Sequence, residues 1–236
     1  MRIDKYLCDC GVGTRKEVKE IIKNGRVRVN DKHIKTSSEH IDENAANVYL
    51  DEKKLTYVRF IYLMLNKPMG VVSATYDKKL QTVIDLVDEK YLHFDLFPVG
   101  RLDIDTTGLL ILTNDGEMAH RLTSPKHHAD KTYYATIEGV VDEEDIQIFY
   151  DGVRIHDGYI CKSAKLEIIK SDDISEILLT IQEGKFHQVK RMFEAVGKKV
   201  LTLKRVSMGD VELDENLALG EMRELTAREI EILKSI

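Results

Sequence analysis

Along the chain the spacing of apolar positions separates a short helical beginning from a strand-rich remainder. Ile3, Tyr6, Leu7 and Cys10 recur at the three- and four-residue intervals of one helix face. Val18, Ile21 and Ile22 repeat that spacing. Thr14 and Glu17 precede them as a capping box, and Gly25 follows as a left-handed stop. The pattern then shifts to alternation: Arg26-Val27-Arg28-Val29 reads as a half-buried strand turned by Asn30-Asp31. Polar residues 36–47 make a loop, Val48-Tyr49-Leu50 closes a small domain, and a linker runs over about 52–59. The boundary is expected near residue 58, giving domains 1–58 and 59–236.

In the second domain, Phe60–Leu65 is an apolar strand ended by Pro68 and Gly70, and Val71–Thr75 is expected to resume extended structure. Residues 82–87 read as a short helix, and Leu109–Leu112 as a buried strand followed by the turn signal Asn114-Asp115-Gly116. Helices are expected over 117–122 and 142–150, and strands over 153–155, 164–169, 177–181 and 200–208. Residues 127–137 pass from loop into strand. Val189, Met192, Phe193 and Val196 form one helix face stopped by Gly197, and Thr226 with Glu229 caps a last helix. Strands outnumber helices and come in short runs of antiparallel character. The class is α+β, with a mixed, mainly antiparallel sheet flanked by helices.

Composition narrows the possibilities. With 236 residues and 43% hydrophobic content the chain buries a real core, and no apolar run approaches the roughly 20 residues of a membrane span. The first residues lack a signal-peptide stretch, and three cysteines make no disulfide framework, so a reducing, cytoplasmic setting is expected. Cys8-x-Cys10 has the wrong spacing for a zinc knuckle, and the pair His127-His128 has no third ligand at recognisable spacing. The net charge of −6 argues at first against a nucleic-acid partner, but its distribution argues for one. Residues 1–35 hold ten Lys/Arg against five acids, and Lys185–Arg205 holds seven against Glu194 alone.

The densest candidate chemistry lies in Gly100-Arg101-Leu102-Asp103-Ile104-Asp105-Thr106-Thr107-Gly108-Leu109-Leu110. Two carboxylates stand on a turning loop that a buried strand anchors. A calcium loop starting at Asp103 would need a bidentate Glu at its twelfth position, where Asn114 stands. A glycosidase pair would need its two carboxylates facing each other about 5–10 Å apart, and residues two apart on one tight loop rarely do so.

Gly100-Arg101-Leu102-Asp103-x-x-Thr106-x-Gly108-Leu109-Leu110, followed by Thr113-Asn114-Asp115-Gly116, resembles the catalytic motif of RNA pseudouridine synthases, specifically the RsuA-like branch that modifies ribosomal RNA. Lys67-Pro68-x-Gly70, Lys131-x-Tyr133, Glu183 to Phe193 and Val200 to Gly209 are further matches. Residues 1–50 resemble an S4-type RNA-binding domain through Arg2-x-Asp4-Lys5-x-Leu7, Thr14-Arg15-Lys16 and Gly25-Arg26-Val27-x-Val29-Asn30. Thr14 stands where Ser is common and Lys16 where Arg is common. Lys keeps the charge but offers a point rather than a bidentate fork.

The resemblance implies a cofactor-free isomerisation with Asp103 as the catalytic carboxylate, nucleophile at C1′ or base at C2′. It implies Lys190 as the cation favouring its ionised form, Tyr133 stacking on the base, Leu203 beneath the ring, and Arg101 either filling the space of an extruded nucleotide or gripping the backbone. Asp105 is read as a loop organiser that accepts turn amides. RNA contacts are expected from Arg2, Lys5, Thr14, Arg15, Lys16, Lys19, Arg26, Lys131, Arg191 and Arg205, with no metal. The paired His and the run His187 to Phe193 resemble the small-subunit enzyme more than its large-subunit relatives. The expected substrate is thus one uridine of 16S ribosomal RNA on a partly assembled small subunit, acted on by a monomer. The alternatives are a 23S enzyme of the same family and a non-catalytic RNA-binding assembly factor.

Overall fold

The computed structural model describes residues 1–124 and 129–236. They fall into two compact units, Met1–Ile61 with Asp88–Leu96, and Tyr62–Val87 with Phe97–Ile236. The first unit therefore recruits a remote stretch that a single boundary near residue 58 does not separate. That stretch is mostly a 3₁₀ turn, Glu89–Phe94, whose His93 ring lies against Gly11.

In the first unit, helices α1 (Ile3–Asp9) and α2 (Arg15–Lys23) precede the strands β1 (Val27–Val29), β2 (Lys32–His33), β3 (Val48–Leu50) and β4 (Lys53–Lys54). These strands form an antiparallel sheet in the order β2-β1-β3-β4. The capping box forms: the Glu17 amide donates to Thr14 Oγ1 at 3.4 Å and the Thr14 amide to Glu17 Oε2 at 2.8 Å. It fixes the start of α2, so that Val18 and Ile22 meet Ile3, Tyr6, Leu7, Val27 and Val48 in one core. Glycine at 25, with φ +71°, ends the helix without the strain a side chain would bring.

The second unit contains β5 (Tyr62–Lys67), β6 (Phe97–Pro98), β7 (Thr107–Thr113), α3 (Gly116–Thr123), β8 (Lys131–Glu138), α4 (Glu143–Asp151), β9 (Lys165–Lys170), β10 (Ile174–Ile181), α5 (Gln188–Ala195), β11 (Lys199–Met208), β12 (Val211–Glu212), β13 (Met222–Glu224) and α6 (Ala227–Ser235). The main strand order is β13-β5-β7-β11-β8-β10-β9, with β6 on β7 and β12 on β11. Among the described strand-to-strand pairings, isolated bridges aside, only β7 with β11 is parallel, which makes the sheet mixed but mainly antiparallel. Strand β5 is buried along its whole length and β7 along nearly all of it, which explains why they read as continuous apolar runs rather than alternating ones.

The parallel junction explains a glycine of the Asp103 motif. Gly108 has φ +100°, and a Cβ there would lie 2.3 Å from the carbonyl oxygen of Arg205 and 2.9 Å from its nitrogen. Backbone cannot yield as a flexible side chain does. Gly108→Ala is therefore expected to cost about 2–4 kcal/mol, read from the denaturant midpoint at an unchanged m-value. A variant as stable as the parent would show that β7 and β11 can separate freely.

Four local expectations change. Residues 71–75 form no strand: Val72 makes one isolated bridge to Thr82, and Ser73 turns inward to a loop. Residues 84–86 form a single 3₁₀ turn, and 153–155 contribute only the bridge between Arg154 and Ile160. Residues 71–75 and 153–155 have strand-like composition, yet each makes only one isolated bridge. Asn114-Asp115-Gly116 is a helix start: Asp115 caps α3, its Oδ1 accepting from the Met118 amide at 3.1 Å.

Candidate active site

Asp103 sits in the loop between β6 and β7, and the Lys67–Ser73 segment holds that loop. Fully buried Lys67 extends its ammonium beneath the loop and donates to three carbonyls, Pro68 at 3.0 Å, Asp103 at 3.1 Å and Thr106 at 3.0 Å. The Gly70 amide donates to the Ile104 carbonyl at 2.8 Å, from a backbone at φ +81°. Ser73 Oγ donates to the Leu102 carbonyl at 2.9 Å while accepting from the Leu102 amide at 3.1 Å. Lys-Pro-x-Gly is thus the scaffold of the Asp103 loop rather than a separate chemical motif. Burial pushes the Lys67 ammonium down to about 8, against the opposing pull of Asp105 and Asp103.

The Asp103 carboxylate is left free by this scaffold, which grips only the loop backbone. It opens into a cavity of about 50 Å³ whose walls include Arg101, Thr106, Tyr133, His187, Lys190 and Leu203. The sheet brings these together: Tyr133 on β8 pairs with Arg205 on β11, and the next position on the same face pairs Ala135 with Leu203. Tyr133 and Leu203 are 7% and 6% exposed, so the core face of the sheet continues as the floor of the cavity. From α5, Lys190 Nζ reaches Asp103 Oδ2 at 3.9 Å, and His187 Nε2 lies 3.8 Å from Oδ1. All five residues expected around the chemistry, Arg101, Asp103, Tyr133, Lys190 and Leu203, meet at one place.

The second acid behaves differently from its expectation. Lys190 Nζ donates to both oxygens of Asp105, at 2.6 and 2.7 Å, so its main partner is a cation, with a backbone amide only a lesser one. This contact holds the Asp105 carboxyl below the usual range, against the opposing effect of burial. Lys190 is shared by two carboxylates, closer to Asp105 and longer to Asp103.

The expected RNA-contacting residues divide into three groups. Arg15, Lys16 and Lys19 lie exposed along α2, where a phosphate can reach them. Arg2, Lys5 and Arg26 are held by Asp4, Asp9 and Asp51, Arg191 is held by Asp157, and Thr14 serves the helix cap. Arg205 is no surface residue: it is 2% exposed, and its Nε donates to the Leu109 carbonyl at 2.8 Å. It and Lys131 border a second cavity. The pair His127-His128 lies outside the described residues.

Sequence reasoning passed over Lys67, Ser73 and His187 as parts of the site. Lys67 carried a signal in its motif, but the residue type suggests a surface, and only the fold buries it. His187 holds a left-handed backbone, φ 50°, at the start of α5, with the exposed Phe186 ring stacked on it at 3.8 Å. Nothing local in the sequence announces that geometry. Among the described residues no group of three His, Cys, Asp or Glu side chains could hold a metal ion.

The RNA pseudouridylate synthase family model matches residues 61–195, which hold the walls of this cavity apart from Leu203. The chain belongs to the RNA pseudouridine synthase family. An S4 domain model matches residues 1–46 of the same synthase. It is 50% identical over 99% of its length to an uncharacterized RNA pseudouridine synthase of Bacillus subtilis, covering 98% of that protein. It is 42% identical over 98% of its length to the ribosomal small subunit pseudouridine synthase A of Vibrio cholerae, again covering 98% of it. A crystal structure of a pseudouridylate synthase superimposes with a TM-score of 0.69 at 41% identity, covering 99% of both chains. The synthase is of the RsuA type, an isomerase acting on RNA, with an S4 domain for RNA binding. Among its described residues no helix is long and apolar enough to cross a membrane.

Proposed function

We propose that this synthase converts one uridine of small-subunit 16S ribosomal RNA to pseudouridine, with Asp103 as its catalytic carboxylate, on a partly assembled particle in the cytoplasm and as a monomer. One observation carries the chemistry. Asp103 presents its carboxylate to a cavity walled by an aromatic ring and an apolar floor, with Lys190 at 3.9 Å and His187 at 3.8 Å, while Asp105 takes the close ion pair with Lys190.

In the reaction the N1–C1′ bond breaks, the detached uracil turns, and C5 joins the same sugar carbon. N1 gains a proton and C5 loses one. No group leaves and no electrons are exchanged, so the chemistry calls for no cofactor. The carboxylate must lie beside C1′ and C2′, as nucleophile at the first or base at the second. In this reading Tyr133 stacks on the uracil while it turns, a contact typically worth about 1–3 kcal/mol per base. Leu203 supports the ring from the sheet. Extruding the nucleotide costs a few kcal/mol, and in this reading the exposed Arg101 fills the space it leaves or grips the backbone.

The small-subunit assignment is supported by the relatives named for that activity, which this chain matches along nearly its whole length. Mapping pseudouridines in both large ribosomal RNAs from cells lacking the gene tests it. One site should vanish from 16S RNA and return with the wild-type gene. Loss of a 23S site instead would transfer the substrate to the large subunit without touching the chemistry.

The α2 cations are proposed as a phosphate clamp. Charge reversal at Arg15 and Lys16 should weaken RNA binding and flatten the slope of log affinity against log salt, by about 0.7–0.9 per lost phosphate contact. An unchanged slope would remove the first unit from that role.

A further inference from the structure

Next to the Asp103 cavity lies a larger one, of about 370 Å³, which shares the walls Arg101, Tyr133, Gly184 and Lys185 with it. The smaller cavity suits a reacting base. The larger is in the range of a ligand pocket for a nucleotide-sized molecule. Its charge is one-sided: Arg101, Lys131, Lys162, Lys185 and Arg205 line it against the single acid Glu183. That acid is already occupied, accepting from the Tyr159 hydroxyl, the Lys162 amide at 2.9 Å and the Gln188 side chain at 3.0 Å. Lys185 lies over the Tyr159 ring, 3.8 Å from its centroid, on the same wall.

At its back, Lys131 and Arg205 stand on neighbouring strands, β8 and β11, and point to the same side as Tyr133. Lys131 Nζ donates to the Ala129 carbonyl at 2.7 Å, and Arg205 spends Nε on the Leu109 carbonyl. Arg205 Nη2, on a side chain 98% buried by its 2% exposure, has no hydrogen-bond partner among the described residues. Burial first, and the charge of Arg205 second, push the Lys131 ammonium down to about 8. A buried guanidinium with an unmet donor, set beside a half-buried ammonium, forms an arrangement that is costly until an anion completes it.

We propose that this cavity is a second nucleotide subsite, in which Lys131 and Arg205 bind the RNA phosphodiester adjacent to the target uridine. The strand then passes from the Asp103 cavity across the shared wall of Arg101 and Tyr133, and the neighbouring sugar and base occupy the space beside Tyr159. The subsite rests on the Asp103 cavity being the uridine pocket. It adds a function for the flanking nucleotide: registering the strand so that one uridine, and not its neighbour, meets the carboxylate.

The test uses the full chain and short oligouridylates in which one phosphodiester at a time is replaced by a neutral methylphosphonate, with affinity read by fluorescence anisotropy. In the wild type, neutralising one particular linkage should weaken binding about tenfold, well beyond the others. Lys131→Gln should weaken binding of the unmodified strand by a similar factor and make that same linkage silent. Arg205→Lys should do likewise where it remains folded, and Lys131→Gln, partly solvent-facing, serves where it does not. The proposal is overturned if no linkage stands out, or if the penalty persists undiminished in Lys131→Gln. It is also overturned if inorganic phosphate at matched ionic strength binds tightly while every linkage behaves alike, which would mark a free-anion site. Repeating the series in Asp103→Asn separates the two readings, since turnover by that variant would sink the catalytic assignment and leave the linkage result standing.

Discussion

Asp103→Asn is expected to lower pseudouridine formation by at least about a thousandfold while RNA affinity changes less than about twofold. The substitution keeps the shape of the side chain and removes only its charge. The contacts that pin the loop at Asp103 from below use backbone: Lys67 on the Asp103 carbonyl, Thr106 N–H on the same carbonyl, Gly70 on Ile104. Nothing in the scaffold depends on the carboxylate, so the melting temperature should stay within a degree or two. Asp105→Asn provides the contrast. It breaks the 2.6 Å ion pair with Lys190 and frees that cation to move toward Asp103, 3.9 Å away. A loss of about tenfold or less is expected there. Modification by Asp103→Asn at the wild-type rate, or a collapse confined to Asp105→Asn, would assign the chemistry to the other acid.

Lys67→Met should reduce both stability and turnover, although Lys67 touches no reacting atom. Removing the ammonium leaves the carbonyls of Pro68, Asp103 and Thr106 without their shared donor, while relieving the burial of a charge. The net cost is expected to be about 1–3 kcal/mol. Freed from below, the loop no longer fixes the carboxylate, and a displacement on the order of 1 Å is enough to lose about 100-fold in kcat. RNA affinity should hold, since the change lies under the site.

The pH dependence of stability gives a separate reading. Lys67 titrates near 8 in the folded protein, below its ordinary 10.5. Below pH 8 it is charged in both states, and the burial penalty is fully present. Between about 8 and 10.5 the unfolded chain holds more protons than the folded one, so this contribution to stability rises with pH. The Lys67→Met curve should be flatter than the parent's across that window. Parallel curves would mean that Lys67 is not buried as a titrating amine.

Much of the site was legible because its residues sit in short, patterned runs. The Asp103 loop, Tyr133, Lys190 and Leu203 could be placed along the chain, and their strands and helix followed from periodicity. Such patterns describe which face of an element is apolar. They do not say which elements become neighbours, and here neighbourhood assigns the roles. Lys190 reaches Asp105 across 85 residues of sequence, and its division between two acids depends on how α5 packs at the mouth of the sheet. Arg205 reads as a basic surface residue within a charged run, but the parallel pairing of β11 with β7 turns it inward beneath the loop strand.

By itself, the sequence determined the α+β class, the helical cap at Thr14, the strands that carry Tyr133 and Leu203, and the loop that must turn at Asp103. These are local consequences of side-chain period, capping chemistry and glycine conformation. Only the tertiary structure decided that Lys67 is the pin beneath that loop, that Asp105 rather than Asp103 takes the close ion pair, and that Lys131 and Arg205 share a cavity. The physical reason is the same in each case. The energy of a charged group depends on what surrounds it when water is removed, and residues far away in the chain provide those surroundings.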